Sequence, residues 1–251
     1  MGDVKVALVT GASRNIGFDI ARRFAELGMR VVATARDEDG LSQVFREAGA
    51  DDVLCMGADL SSDESIGGLV DRVGDAVGGV DVLVNLAVQR TTYPFADHPI
   101  DEFRYALQVS LVSALQLMQA FVPGMVERGW GRVINFGGLS GQTGARNRSS
   151  VSATKAALAG LSRTIALEVA DSGVTVNTLS PGPIETARGD WTTTGDMAAL
   201  SALYEERRQS IPVKRRGSVD EVVALCEYLV SDRSGFMTGQ NIQLNGGLLM
   251  A

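Results

Sequence analysis

The segment Val4 to Thr10 (VKVALVT) is apolar almost throughout, and it runs straight into a glycine-bearing loop and then a stretch with helical spacing. A strand lacking polar–apolar alternation has to be covered on both faces, as happens in a parallel sheet sandwiched between helices. The succession recurs to the end of the chain. Strands are expected at Arg30 to Ala35, Val53 to Met56, Val80 to Asn85, Arg132 to Phe136, Val174 to Leu179 and Asn241 to Leu244. Between them, helical spacing marks Ile16 to Leu27, Leu41 to Glu47, Asp63 to Val77, Ile100 to Glu127, Ser152 to Ala170 and Val219 to Val230. Gly28 is placed to end the first helix, Ser61 or Ser62 to cap the third, and Pro123 to kink or break the long one. Alternating βα units predict an α/β fold, a Rossmann-type doubly wound parallel sheet of about seven strands with helices on both faces. No linker divides the 251 residues, so residues 1–251 read as one domain, with a weakly patterned segment at 188–210.

Charge and composition narrow the partners. A formal net charge of −7 argues against a nucleic-acid backbone or an anionic membrane surface. No apolar run is expected to reach membrane-spanning length, and the start, Met1 to Lys5, leads directly into a strand, so no signal peptide is expected. Cys55, Cys226 and the single histidine, His98, are too few for a zinc site or a disulfide framework. A cytoplasmic protein without a metal centre is the expectation.

The first loop reads Thr10-Gly11-Ala12-Ser13-Arg14-Asn15-Ile16-Gly17 and opens a helix. Glycine there lets the backbone turn tightly and bring amide groups to a pyrophosphate at the positive end of the helix dipole. Further polar groups, Arg36, Asp59 and Asn85, fall at the carboxyl ends of strands two to four, where the ligand crevice of an open α/β sheet lies. An NAD-preferring crevice usually carries a carboxylate after strand two; here Ala35 and Arg36 occupy that corner with Arg14 close by. Two guanidinium groups suit a 2′-phosphate, so a bound dinucleotide is expected to be NADP(H) rather than NAD(H).

Over its whole length the chain resembles the short-chain dehydrogenase/reductase family. The resemblance rests on Thr10, Gly11 and Gly17 of its glycine motif, with Asn15 at the middle glycine, and on the acidic pair Asp59-Leu60. Asn85-Leu86-Ala87-Val88 stands where the family carries N-N-A-G, and Ser180-Pro181-Gly182-Pro183-Ile184-Glu185-Thr186 resembles the segment bordering the nicotinamide. Thr238-Gly239-Gln240 through Asn245-Gly246-Gly247 matches its last-strand signature. The resemblance implies cofactor contacts from Gly11, Ser13, Arg14, Asn15, Ile16, Gly17, Arg36, Asp59, Leu60, Asn85, Ala87, Lys155, Pro181, Gly182, Ile184 and Thr186. Asn15 is a good non-glycine occupant of a left-handed turn, whereas the branched Val88 narrows the crevice. The resemblance also implies a dimer or tetramer through the helix bearing Ala153, Ala156, Ala157 and Gly160.

The family's catalytic pattern departs from this chain. Its Tyr-x-x-x-Lys pair puts both side chains on one helix face, and here reads Val151-Ser152-Ala153-Thr154-Lys155. Lys155 is kept, but the tyrosine position is Val151, the serine position Gly138 and the asparagine position Ser110. The favoured reading is therefore a catalytically deficient or accessory subunit in a homo- or hetero-oligomer, paired with an active paralogue. An NADPH-dependent carbonyl reductase with a relocated donor, Tyr93 or Tyr204, is the second reading. A non-redox dehydratase or isomerase acting on a small molecule is the third, with Asp97-His98 or the anion-binding pair Arg146 and Arg148 as its chemistry.

Overall fold

A computed structural model describes residues 4–186 and 209–250. Seven parallel strands form one sheet in the order β3-β2-β1-β4-β5-β6-β7: β1 (Val6–Thr10), β2 (Arg30–Ala35), β3 (Leu54–Gly57), β4 (Val82–Asn85), β5 (Gly131–Phe136), β6 (Val174–Pro181) and β7 (Asn241–Leu244). The chain winds outward from β1 in one direction to β3, then returns to β4 on the other side. That reversal between β1 and β4 opens a crevice at the carboxyl ends of the strands.

All five residues of β1 are buried, and their alternation divides them between two cores. Ala7 and Val9 join Ile20 and Phe24 of α1 (Asn15–Glu26), Leu41 and Phe45 of α2 (Glu38–Glu47) and Val222 and Leu229 of α8 (Val219–Val230). Leu8 faces the opposite core, with Ile66 and Leu69 of α3 (Asp63–Val77), Leu117 and Met118 of α5 (Ser113–Glu127) and Leu158 of α7 (Ser149–Val169). A side-chain period of two on a sheet covered twice explains why the strands read as unbroken apolar runs. Helix starts follow local chemistry: Asp37 accepts from the Gly40 amide, Ser62 (rather than Ser61) from Ser65, and Ser218 with Glu221 forms a reciprocal cap on α8.

The long helical stretch departs from expectation at a different place from the one its proline suggested. Helix continues through Pro123, which lies on the exposed face of α5, where the carbonyl it deprives of a partner is open to water. The irregularity is instead a π turn at Gln108–Val112, joining α4 (Ile100–Leu107) to α5 around the buried Ser110. Over Ile100–Glu127 the helix is also long and apolar enough, by length and composition, to span a membrane, with mean hydropathy 1.5 in its most apolar window. Its apolarity has a use in this fold, since Leu117, Met118, Phe121 and Met125 pack into the second core. A short helix α6 (Ser140–Thr143), whose Ser-Gly-Gln-Thr sequence carries no apolar period, links β5 to α7.

Candidate functional site

At the carboxyl ends of the strands lies a cleft of about 810 Å³. Its first wall grows out of the end of β1. The Thr10 hydroxyl accepts the amides of Leu86 (3.0 Å) and Ala87 (3.1 Å) and donates to the Val84 carbonyl, tying β1 to the end of β4. Gly11 (φ 69°) passes so close to β4 that a Cβ would stand 3.0 Å from the Ala87 Cα. Asn15 adopts φ 50°, the left-handed conformation expected of it. No side chain caps the start of α1 and no acidic residue stands in its first turn. Its leading amides, flanked by Ser13, Arg14, Asn15 and Ile16, therefore face the cleft as an anion-favouring end. Gly17 does not line the cleft; a Cβ there would meet the Gly11 carbonyl at 2.4 Å, so its role is to let α1 pack beneath the loop.

Arg36 stands in the cleft wall beside Ala35 and Thr34. The neighbouring carboxylates are occupied elsewhere: Asp37 caps α2, and Glu38 binds Arg72 (2.6 Å) and the Gly57 amide (2.6 Å). Asp59 takes the amide and hydroxyl of Ser61 at 2.9 and 2.8 Å. Those bonds, with a smaller contribution from the Arg36 charge, hold its carboxyl below the usual range. The Thr34 hydroxyl is buried, borders the cleft and has no hydrogen-bond partner. A guanidinium in the wall suits a phosphorylated ribose, and these residues fit a dinucleotide. Leu60, Ala87, Pro181, Gly182, Ile184 and Thr186 also line the cleft, and Val88 adds its branched side chain to the wall as the sequence suggested. Asn85 does not line it. It is 5% exposed and its amide donates to Asn135 (2.8 Å), which donates in turn to Ser162 (2.9 Å), so it joins β4, β5 and α7 beneath the floor.

The other end of the cleft is built on α7. Lys155 reaches back to donate a hydrogen bond to the Phe136 carbonyl at the end of β5. Burial first, and then the charge of Arg90, lower its pKa to about 7. Val151, one turn earlier, lines the same wall. Gly138 sits on a loop anchored by donation of its amide to Ser180 (3.0 Å), and a Cβ there would meet only the Lys155 Cγ, at 3.8 Å. Ser110 is withdrawn in the π turn, where its hydroxyl accepts the Gln89 amide at 3.0 Å.

Two expected substrate residues lie off this cleft. His98 has Nδ1 2.7 Å from the Ser149 hydroxyl, its ring 5.0 Å from Tyr93 and 5.6 Å from Phe103. It thus staples the loop after β4 to the start of α7, with the Tyr93 amide bonded to the Asn147 carbonyl alongside. Among the described residues, the cleft wall includes neither His98 nor Tyr93. Arg146 and Arg148 do line it. Tyr204, and residues 188–208 of the variable segment, lie outside the described residues.

Sequence reasoning missed several wall residues, Arg90 and Tyr105 among them. Arg90 follows closely on β4, the place where an α/β crevice collects ligand groups. Tyr105 and Val109 share a helix face four residues apart and both face the cleft, a spacing that offered a signal. The Tyr105 hydroxyl makes no hydrogen bond with Lys155.

Comparison with known proteins agrees with this architecture. Residues 11–249 match the family model described as enoyl-(acyl carrier protein) reductase. The chain is 35% identical over 250 residues to the 3-oxoacyl-(acyl-carrier-protein) reductase FabG of Vibrio cholerae, covering 98% of each. It is 35% identical to acetoacetyl-CoA reductase of Allochromatium vinosum, covering 98% of this chain and 99% of the relative. Among solved structures, YwfH, an NADPH dependent reductase involved in bacilysin biosynthesis, superposes with a TM-score of 0.90 at 27% identity, covering 99% of this chain and 100% of that one. A seven-stranded parallel sheet with this cleft, matched end to end by such relatives, places the chain in the short-chain dehydrogenase/reductase family.

Proposed function

We propose that this chain is a dinucleotide-holding subunit of a short-chain dehydrogenase/reductase oligomer that does not carry out carbonyl reduction by itself. The observation carrying the proposal is the surroundings of Lys155. The neighbouring positions that face it are an aliphatic Val151 and a bare Gly138, and its ammonium is bonded to a backbone carbonyl rather than to a phenol. Ketone reduction by hydride needs a proton at the new alkoxide, from a donor within about 3 Å of the oxygen, and neither residue can provide one. A bound NADP(H) would supply the hydride. Residues of this chain would do the holding: the α1 amides at the pyrophosphate, Arg14 and Arg36 at a 2′-phosphate, Asp59 and Leu60 at the base, Lys155 at the second ribose. Names of relatives support the class of chemistry, since FabG and acetoacetyl-CoA reductase both act on 3-oxoacyl thioesters by name. Ala156 and Ala157 are exposed on α7 beside Ala153 and Gly160, a small-residue face suited to a second subunit, identical or paralogous.

Calorimetric titration with NADPH and NADH, followed by an acetoacetyl-thioester turnover assay on the purified homo-oligomer, tests the reading. Saturable binding favouring NADPH, with nucleotide consumption at the background rate, is expected. Robust turnover abolished by Lys155→Met would overturn it.

A second reading is favoured by the Tyr105 ring in the cleft wall. There the phenol replaces the missing donor, and Tyr105→Phe should then remove a measurable reductase activity. Unchanged rates in that variant end this alternative.

A further inference from the structure

Lys155 has two properties that ribose binding does not use. Its amine sits in the wall of a large cleft, and the two substituents that would crowd it are small or aliphatic. At Gly138 the nearest atom to an added Cβ is the Lys155 Cγ at 3.8 Å, so the space above the lysine stem is open. Val151 gives an apolar flank, and the Phe136 carbonyl takes one N–H and orients the nitrogen. The sole carboxylate among the described lining residues is Asp59, at the far end of the cleft beyond β1, and the charge that acts on Lys155 is a cation, Arg90. A lysine removed from water and placed near another cation is the arrangement that turns an ammonium into a nucleophilic amine.

We propose that Lys155 is an amine nucleophile toward ketones and β-keto compounds that enter this cleft, forming an imine with them. The Nζ lone pair adds to the carbonyl carbon. The C–O bond of the resulting carbinolamine then breaks, and the oxygen leaves as water with the two hydrogens first carried by the neutral amine. A C=N bond replaces a C=O bond, no atom changes oxidation state and no nucleotide takes part. The imine draws electrons from the adjacent carbon, which makes proton exchange at that carbon the simplest activity open to it. Depression of the Lys155 pKa to about 7 supports the geometry, because half of the amine is then neutral near neutral pH.

The chain contains three lysines, Lys5, Lys155 and Lys214, which supplies internal references. Lys5 lies over the Trp130 ring at 4.2 Å, and Lys214 is exposed and bonded to the Gln209 carbonyl at 2.8 Å. The full-length protein, without nucleotide, is incubated with ethyl acetoacetate and sodium cyanoborohydride, and adducts are mapped by peptide mass spectrometry. Labelling at pH 7 should favour Lys155 over Lys5 and Lys214 by at least about tenfold, given ordinary lysine pKa values near 10.4. Its yield should be half-maximal near pH 7, and Lys155→Met should lose it. Equal labelling of the three lysines, or Lys155 labelling that rises only above about pH 9, would overturn the proposal. The comparison is made within the wild-type chain, so it stands even where the variant fails to fold. Because no nucleotide is present, failure here is separate from failure of NADPH to bind.

Discussion

Replacing Gly138 by Ser and Val151 by Tyr in one chain tests whether two missing side chains limit the chemistry. The site can receive them. An added Cβ at residue 138 has only the Lys155 Cγ nearby, at 3.8 Å, an ordinary van der Waals contact. Val151 already lines the cleft one helical turn before Lys155, so a phenol on its stem projects into a space of about 810 Å³ above the ammonium. A positioned general acid contributes roughly 10²–10⁴ in rate, and a hydrogen-bond donor at the developing oxyanion roughly 10²–10³. Residues that act as a unit are not additive, so the smaller single figure is the safe floor: a gain of about 10²-fold, or roughly 2.7 kcal/mol of transition-state stabilisation. Ser110→Asn is added second, because Ser110 is 3% exposed and holds the Gln89 amide, and a larger side chain there risks the π turn. The assay is NADPH consumption with an acetoacetyl thioester, after circular dichroism and nucleotide titration show that the variant is folded and binds as the wild type does. Addition of Lys155→Met to the double variant should abolish the gain. A folded, nucleotide-binding double variant that turns over no faster than the wild type would refute the reasoning, since the limitation would then lie elsewhere in the cleft.

Arg36→Ala should weaken NADPH about 10- to 100-fold while leaving NADH nearly unchanged, the scale of one hydrogen-bonded charge pair at about 1.5–3 kcal/mol; calorimetry reads both. Lys155 gives the stability a pH dependence whose sign is fixed. Its folded pKa, about 7, lies below the unfolded value near 10.4, so between these pH values the unfolded chain holds the extra proton and stability rises with pH. Urea unfolding at several pH values should show a rise on the order of a few kcal/mol across that window, absent in Lys155→Met; a flat wild-type profile contradicts the burial argument. Phe24→Ala, at a fully buried ring in the first core, should cost about 3–5 kcal/mol in the same assay without altering the cleft residues.

The sheet was legible because its physics repeats along the chain. The central strands, such as β1 and β4, are covered on both faces and so read as apolar runs, whereas the edge strand β7 (Asn-Ile-Gln-Leu) is half-buried and alternates; Gly28 at φ 83° and Ser62 at the start of α3 end and begin helices by local chemistry alone. The turn at the end of β1 was legible for a related reason: Gly11 and Asn15 are constrained by backbone conformation, which residue type reports directly. His98 was less so. Its ring is held by Ser149, 51 residues away, and no spacing in the sequence announces a contact that only the packing of α7 against the loop after β4 creates. The same holds for Arg90, whose charge acts on Lys155 from 65 positions away in the chain. Pro123 misled in the opposite sense, since a proline on the exposed side of α5 leaves its orphan carbonyl to water and the helix continues.

Under the proposed function, the groups of the cleft divide along a physical line. Some would hold a nucleotide: the Thr10 hydroxyl joining β1 to β4, the uncapped amides of α1, the Arg36 guanidinium, and Lys155 anchored on the Phe136 carbonyl. At the positions facing Lys155, where a proton would have to be handed to an oxygen, stand an isopropyl group and a hydrogen. Holding and proton delivery fail independently, because the first depends on backbone and charge spread over the whole crevice while the second depends on one or two atoms within hydrogen-bond reach. A variant series can therefore separate them. Arg36→Ala should move nucleotide affinity alone, and the Gly138→Ser/Val151→Tyr pair should move turnover alone. A series in which both quantities shifted together would mean that the two ends of the cleft are coupled through the loop from Gly137 to Ser140, and the division would not hold.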